Sequence, residues 1–244
     1  MVPAQGGRLV AFATGLICDE KLVLPDFRVQ FHAERPDWER GRLESVREHL
    51  RPGVRVYDIG AEHGDFTVLY RSWGADVVPV EPSEPYWPCI RATYEANGFE
   101  PPAVWFNGFA ADTTRFTLAD IGSDGWPPAS RGEVVADYGF RHLAQDLDTA
   151  RITVDALADF AGPPDALMID VEGAEWHVLT GAQETLRARD VLVWVSIHEA
   201  TMASWYSRTP EDIHVLMADV GYSGTRLASH GEAEDFYLYR RVRP

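Results

Sequence analysis

The feature that most constrains this chain is a strand–turn–helix, Tyr57-Asp58-Ile59-Gly60-Ala61-Glu62-His63-Gly64, set in a repeating strand and helix rhythm. "VRVYDIG" is a short β-rich run, and "DFTVLYRSWG" after the turn is helical. "ADVVPVEP" is a second strand. "SEPYWPCIRATYEANG" is a second helix that opens near an N-cap Ser and closes on Asn97-Gly98. "AVWFNGFA" is a third strand. The order β-α-β-α-β predicts a parallel sheet with crossover helices.

The rhythm pauses from Asp112 to Arg151, then resumes with a helix near "VDALADFAG", a strand "DALMID", a helix "AEWHVLTGAQETLRA" and a strand "VLVWVSIH". Thr209-Pro210-Glu211-Asp212 predicts a helix start, with an N-cap Thr, Pro at N1 and an acid at N3. "DFYLYRRV" alternates as a final strand. About seven strands predict one doubly wound α/β sheet, mostly parallel with an antiparallel last strand. The expected domain spans 37–244, with a lid-like insertion at about 112–150. Residues 1–36 read as an N-terminal extension or hairpin.

Composition narrows the function. Twenty-two basic and 38 acidic residues give a net charge of −16, which predicts no nucleic-acid and no anionic membrane partner. Lys21 is the only lysine and stands in "ICDEKLVLP", a context that excludes a P-loop, a kinase strand lysine and a Schiff-base site. Cys18 and Cys89 have no partners at metal-ligand spacing. The apolar run "LVAFATGLIC" is too short to span a bilayer, lacks a small-residue cleavage pattern and is followed by two acids. A soluble, cytoplasmic protein is expected.

In open α/β sheets, ligands sit at the carboxyl ends of the strands. Gly60 and Gly64 are expected to let the backbone approach a ligand there. Glu81, twenty-three residues after Asp58, ends the second strand and is placed to accept hydrogen bonds from two ribose hydroxyls. A dinucleotide fingerprint has Gly where Glu62 stands, and carboxylates at 58 and 62 would repel a pyrophosphate. S-adenosylmethionine carries an ammonium and a sulfonium instead, so a methyl donor is favoured over a nicotinamide.

"VYDIGAEHGDFT", "PVEPSEPYWPCIRATYEANG", "ALMIDVEGAEWHVLTGA" and "VWVSIHE" together resemble the FkbM-type S-adenosylmethionine-dependent methyltransferases. The resemblance runs from about Asp37 to the C-terminus. It implies a Rossmann-like class I methyltransferase fold and methyl transfer to oxygen, often on a sugar or sugar-bearing natural product. It implies that Asp58, Gly60, Ala61, Glu62, Gly64 and Thr67 belong to the cofactor site, with Asp58, Gly60 and Gly64 lining its methionine end. Glu81 would hold the ribose, and Asn107 with the residues just after it would approach the adenine. The family usually has Asn where Glu62 stands, a small apolar residue at His63 and Lys at Met168; the first two changes imply a more polar pocket.

Transfer to an alcohol needs a base, or a metal that acidifies the hydroxyl. Asp170 ends an apolar strand facing the crevice, Glu172 follows it, and His198 ends the next strand. Either His198 or Asp170 is expected to accept the proton while the other orients it. Alternatively Asp170, Glu172 and His198 bind a divalent cation such as Mg2+. Glu175 reads as a helix-dipole acid, and His177 and His214 as packing or surface residues. Trp126, Tyr138, Phe140 and His142 are expected to line the acceptor pocket. Two other functions remain open: a nicotinamide-dependent oxidoreductase, and a non-catalytic cofactor-binding protein if Met168 has disabled the site.

Overall fold

The computed structural model describes residues 2–3, 9–122, 142–229 and 234–243. In chain order the strands are β1 (Val2–Pro3), β2 (Leu9–Val10), β3 (Phe12–Ile17), β4 (Glu20–Pro25), β5 (Arg55–Ile59), β6 (Asp76–Val80) and β7 (Trp105–Phe106). They continue as β8 (Phe109–Ala110), β9 (Ile121–Gly122), β10 (Arg151–Ile152), β11 (Ala166–Ile169), β12 (Leu192–Ile197), β13 (Tyr222–Ser229) and β14 (Asp235–Arg241). The helices are α1 (Asp26–Glu34), α2 (Arg40–His49), α3 (Asp65–Ser72), α4 (Trp87–Ala96) and α5 (Val154–Ala161). After them come α6 (Glu175–Thr180), α7 (Gln183–Ala188), the single turn α8 (Glu199–Thr201) and α9 (Pro210–Asp219).

The central sheet has the order β13-β14-β12-β11-β5-β6-β7-β9. Strands β12, β11, β5, β6 and β7 are parallel, β14 runs antiparallel to β12, and β13 antiparallel to β14. This is the expected mixed sheet with eight strands rather than seven. Two of the eight are not singled out by the sequence pattern: β13, antiparallel to β14 at one edge, and β9, antiparallel to β7 at the other, whose two residues are too few to show an alternation. The expected third strand is also interrupted at Asn107-Gly108: a Cβ on Gly108 would stand 2.5 Å from the Ala150 carbonyl oxygen. There the chain leaves β7, and β8 pairs instead with β10.

The pleat explains why helices cover both faces. Tyr57, Ile59, Leu167, Ile169, Val193 and Val195 point to one side, against Val154, Leu157, Val178, Leu179, Leu186, Ile213 and Met217 of α5, α6, α7 and α9. Val56, Val77, Ala166, Met168 and Trp194 point to the other, against α2, α3 and α4. Helix α2 is mostly charged and is held by Leu43 and Val46, each worth roughly 1.5–3 kcal/mol of burial. The predicted start of α9 is present as a full capping box between Thr209 and Asp212.

Two local expectations change. The stretch read as one helix over 174–188 breaks at Gly181, whose carbonyl accepts the Asp155 N–H at 3.0 Å and whose missing Cβ leaves room for the Ala111 carbonyl. The N-terminal hairpin is real, β3 against β4, but it ends at Pro25 and helix α1 follows. Asn97 ties the hairpin to α4, accepting from the Val23 N–H and donating to its carbonyl, both at 2.8 Å. Among the described residues no helix is long and apolar enough to cross a membrane.

Candidate active site

A cleft of about 260 Å3 opens at the carboxyl ends of β5, β6, β11 and β12. The turn after β5 forms its floor. Gly60 adopts φ +91°, and a Cβ there would lie 1.8 Å from the Asp170 carbonyl oxygen. Gly64 (φ +80°) packs against Ile90 in the same way. Both glycines let backbone meet protein closely: Gly60, which also lines the cleft, brings the ends of β5 and β11 together, and the Asp170 N–H donates to the Ile59 carbonyl at 3.0 Å.

Two buried carboxylates face the cleft from adjacent strands. Thr67, itself inside the core, donates its hydroxyl to Asp58 at 2.5 Å. Burial pushes Asp58 up to about 6 against that hydrogen bond. Glu81 accepts the Ser83 N–H on one oxygen at 2.7 Å and the Glu62 N–H on the other at 3.0 Å. Burial lifts Glu81 to about 7. Each oxygen keeps lone pairs for a ligand donor. Glu62 sits at φ +48°, a conformation L residues avoid, and its side chain enters the cleft.

The opposite wall comes from the N-terminal segments, which the sequence patterning did not assign to the site. Arg28, Phe31, Trp38, Glu39 and Arg42 all line the cleft. Arg28 donates to Asp65 through Nε at 2.9 Å and Nη2 at 2.6 Å, and His32 Nε2 lies 2.6 Å from the same oxygen. Burial opposes ionisation of Asp65, but Arg28 and His32 outweigh it and hold the carboxyl well below its usual range. Arg42 is buried against Glu39, donates to the Tyr70 hydroxyl at 3.1 Å and lies 4.9 Å from the Phe66 ring centroid. Arg28 and His32, four residues apart, fall on one face of α1 and so reach Asp65 together, but nothing in their spacing marks Asp65 as the partner.

The remaining end of the cleft is a histidine among carboxylates. His198, following β12, is 9% exposed, and its Nδ1 lies 2.7 Å from Glu175 Oε1. Glu175 is wholly buried and also accepts the Gly173 N–H at 2.8 Å. It is thus more than a helix-dipole acid: it fixes the imidazole. His198 Nε2 lies 3.7 Å from Asp170 Oδ1, 3.6 Å from Glu172 Oε2 and 3.4 Å from Glu234 Oε1. Burial disfavours the imidazolium, but the Glu175 hydrogen bond and the charges of Asp170, Glu175 and Glu172 raise His198 to about 10. Burial lifts Glu172 and Glu234 to about 7. Glu234 was missed in the sequence because it lies in the polar "HGEAED" stretch, where nothing marks one acid from the next.

The model of the Methyltransferase FkbM domain matches residues 58–223, more than half of the chain, and that stretch contains the turn, Glu81 and His198. The chain belongs to the FkbM methyltransferase family. No protein of curated function matches it in sequence. The PH0226 protein of Pyrococcus horikoshii is similar in fold, with a TM-score of 0.50 at 12% identity over 89% of this chain and 94% of that one. The FkbM methyltransferase of Methylobacillus flagellatus has a TM-score of 0.49 at 15% identity, over 79% of this chain and 44% of its own. The magnesium protoporphyrin IX methyltransferase of Synechocystis, solved with bound SAM, has a TM-score of 0.45 at 14% identity, over 88% of this chain and 80% of that one.

Within this FkbM methyltransferase the other expected residues divide. Met168, where the family usually has Lys, is buried in β11 beside Asp58 and lines the cleft. Ala61 lines it too, whereas Gly64 and Thr67 stand behind it. His63 does not make the pocket more polar: its ring is buried between Phe27 and Tyr86, with centroids 5.1 and 4.7 Å away, and is absent from the lining. Asn107 accepts the Trp87 indole N–H at 3.0 Å and stands outside the lining, but Gly108, Phe109 and Ala110 just after it are part of it. His142 stacks on Trp205 with centroids 4.3 Å apart, and its neighbour Leu143 lines the cleft instead. Trp126, Tyr138 and Phe140 lie outside the described residues. His177 pairs with Asp112 and His214 with the Tyr239 hydroxyl, both away from the cleft.

Proposed function

We propose that this chain transfers the methyl group of S-adenosylmethionine to a hydroxyl oxygen of a small-molecule acceptor, a sugar or a glycosylated natural product. The observation that carries the cofactor reading is the pair of buried carboxylates, Asp58 and Glu81, on adjacent strand ends. Glu81, with one backbone N–H on each oxygen, suits the two hydroxyls of a ribose. Asp58, with a single hydroxyl partner, suits the ammonium of the methionine end. Gly108 to Ala110 would flank the adenine. A nicotinamide dinucleotide fits poorly, because Asp65 occupies the first turn of α3 and Glu62 the turn before it, where a pyrophosphate would sit.

Bound there, the cofactor supplies an electrophilic methyl carbon whose bond to sulfur breaks, with its electron pair left on sulfur, as the bond to the acceptor oxygen forms. The chain itself must align that oxygen and take its proton. Asp170, Glu172 and Glu234 are the acceptors within reach of one another's neighbour, His198, and the buried Glu175 keeps the imidazole in register. Phe31, Trp38 and Phe66 put aromatic side chains in the cleft lining, which supports an acceptor with an apolar side such as a sugar ring.

Incubation with methyl-labelled S-adenosylmethionine and a panel of sugars, phenols, carboxylic acids and amines tests this. The expected result is S-adenosylhomocysteine together with a labelled methyl ether. Label on nitrogen or carbon alone would refute the hydroxyl acceptor while leaving the cofactor reading intact.

A further inference from the structure

We propose that His198, Asp170, Glu172 and Glu234 bind one divalent first-row transition ion, such as Zn2+ or Mn2+, at the acceptor end of the cleft. The proposal rests on reading this cleft as the methyl-transfer site and adds a metal and a fourth ligand from the C-terminal segment.

The distances point to a shared ion and not to hydrogen bonds. His198 Nε2 has three carboxylate oxygens at 3.4, 3.6 and 3.7 Å and hydrogen-bonds to none of them among the described residues. Ligands about 2.1 Å from a tetrahedral ion stand roughly 3.4 Å apart, close to those separations. Ligand atoms of Asp170, Glu172 and His198 all lie within 4.8 Å of one another.

A second observation is independent of the acids. The His198 side chain is 11% exposed, and its Nδ1 is committed to the wholly buried Glu175. That contact turns Nε2 toward the three carboxylates of the cluster. A carboxylate behind a histidine, fixing its orientation from the far nitrogen, is the arrangement metal-binding histidines use. Glu172 adopts φ +53° in the turn after β11, a cost the fold accepts while its carboxylate faces Nε2.

Three carboxylates around one imidazole leave a surplus of negative charge that a dication would neutralise. The mixed donor set selects among ions: carboxylate oxygens suit Mg2+, Ca2+ and Mn2+, whereas the imidazole suits Zn2+ or Fe2+ and so disfavours Mg2+ and Ca2+. Such an ion, held by these residues, would acidify an acceptor hydroxyl beside it, the proton passing to solvent as the oxygen takes the methyl group.

The test is calorimetric titration of the EDTA-treated full chain with Zn2+, Mn2+ and Mg2+, with and without S-adenosylhomocysteine, whose own binding is measured in the same samples. One transition ion per chain is expected, with weaker Mg2+ binding. His198→Ala and Glu234→Gln should each weaken the ion by at least ~10-fold, with S-adenosylhomocysteine still bound. Failure of all three ions to bind, or equal affinity in both variants and the wild type, would overturn the proposal. If metal binds as described but S-adenosylhomocysteine does not, the site stands and the cofactor reading falls.

Discussion

Glu175 and His198 sit on different strand-end segments of the sheet, yet the Glu175 carboxylate reaches the His198 Nδ1 at 2.7 Å without any exposure to solvent. That contact leaves one imidazole nitrogen for the cleft and decides which way it points. Glu175→Gln keeps an acceptor oxygen but removes the charge behind the ring. We expect kcat to fall ~10–100-fold, with S-adenosylhomocysteine affinity unchanged within about twofold. Steady-state kinetics beside calorimetry would show this split, and an equal loss of both would make Glu175 a residue of the fold alone.

The two buried cofactor-side carboxylates make binding depend on pH. Asp58 is raised to about 6 and Glu81 to about 7 by burial, and both must be ionised to meet an ammonium and a ribose. Affinity for S-adenosylhomocysteine should therefore rise from pH 5.5 to 8, with protons released on binding. The sign for stability is opposite. A carboxyl with a raised folded pKa stabilises the fold below its unfolded value and loses that contribution as pH climbs through the folded one. Melting temperature without ligand should fall between pH 5 and 8, and the ligand should flatten the fall. Glu81→Gln should weaken binding ~10–100-fold and reduce the pH slope.

Asp65 holds the N-terminal helix α1 onto the cleft by accepting from Arg28 and lying against His32. Removing the charge leaves a buried guanidinium without its counter-ion. Asp65→Asn should cost about 3–5 kcal/mol in denaturant unfolding. A change below about 1 kcal/mol would mean the ion pair is no stronger than a surface one.

Gly60 and Gly98 both have positive φ, but only Gly60 has a neighbour in the way. Gly60→Ala would press a Cβ onto the Asp170 carbonyl, whereas Gly98→Ala meets nothing within 4 Å. Gly98→Ala should cost about 1 kcal/mol. Gly60→Ala should prevent the ends of β5 and β11 from joining and yield no folded protein, as judged by expression and circular dichroism.

What could be read from sequence was whatever repeats or is fixed locally. The short apolar strand runs at Val56–Ile59 and at Leu192–Ile197, the Thr209 capping box and the carboxyl-end positions of Asp58, Glu81, Asp170 and His198 all follow from short-range rules. Contacts made across the chain left no such mark. Arg28 reaches Asp65 over 37 residues, and Glu234, just before the neighbouring strand β14, reaches His198 from a distant part of the sequence. Asn107 and His63 misled for the converse reason: their neighbours in sequence line the cleft, but Trp87 and the Phe27 and Tyr86 rings draw these two side chains elsewhere. Strand β9 is too short for any periodic signal.

The central claim is that this cleft binds S-adenosylmethionine, and thermal unfolding with S-adenosylhomocysteine or NADH tests it most directly. A ligand at a hundred times its dissociation constant stabilises the fold by about 2.7 kcal/mol, a rise of roughly 5–10 °C for a chain of this size. The account predicts that rise with S-adenosylhomocysteine and none with NADH. A rise with NADH alone would contradict the assignment of Asp58 and Glu81, and with it the proposed methyl transfer.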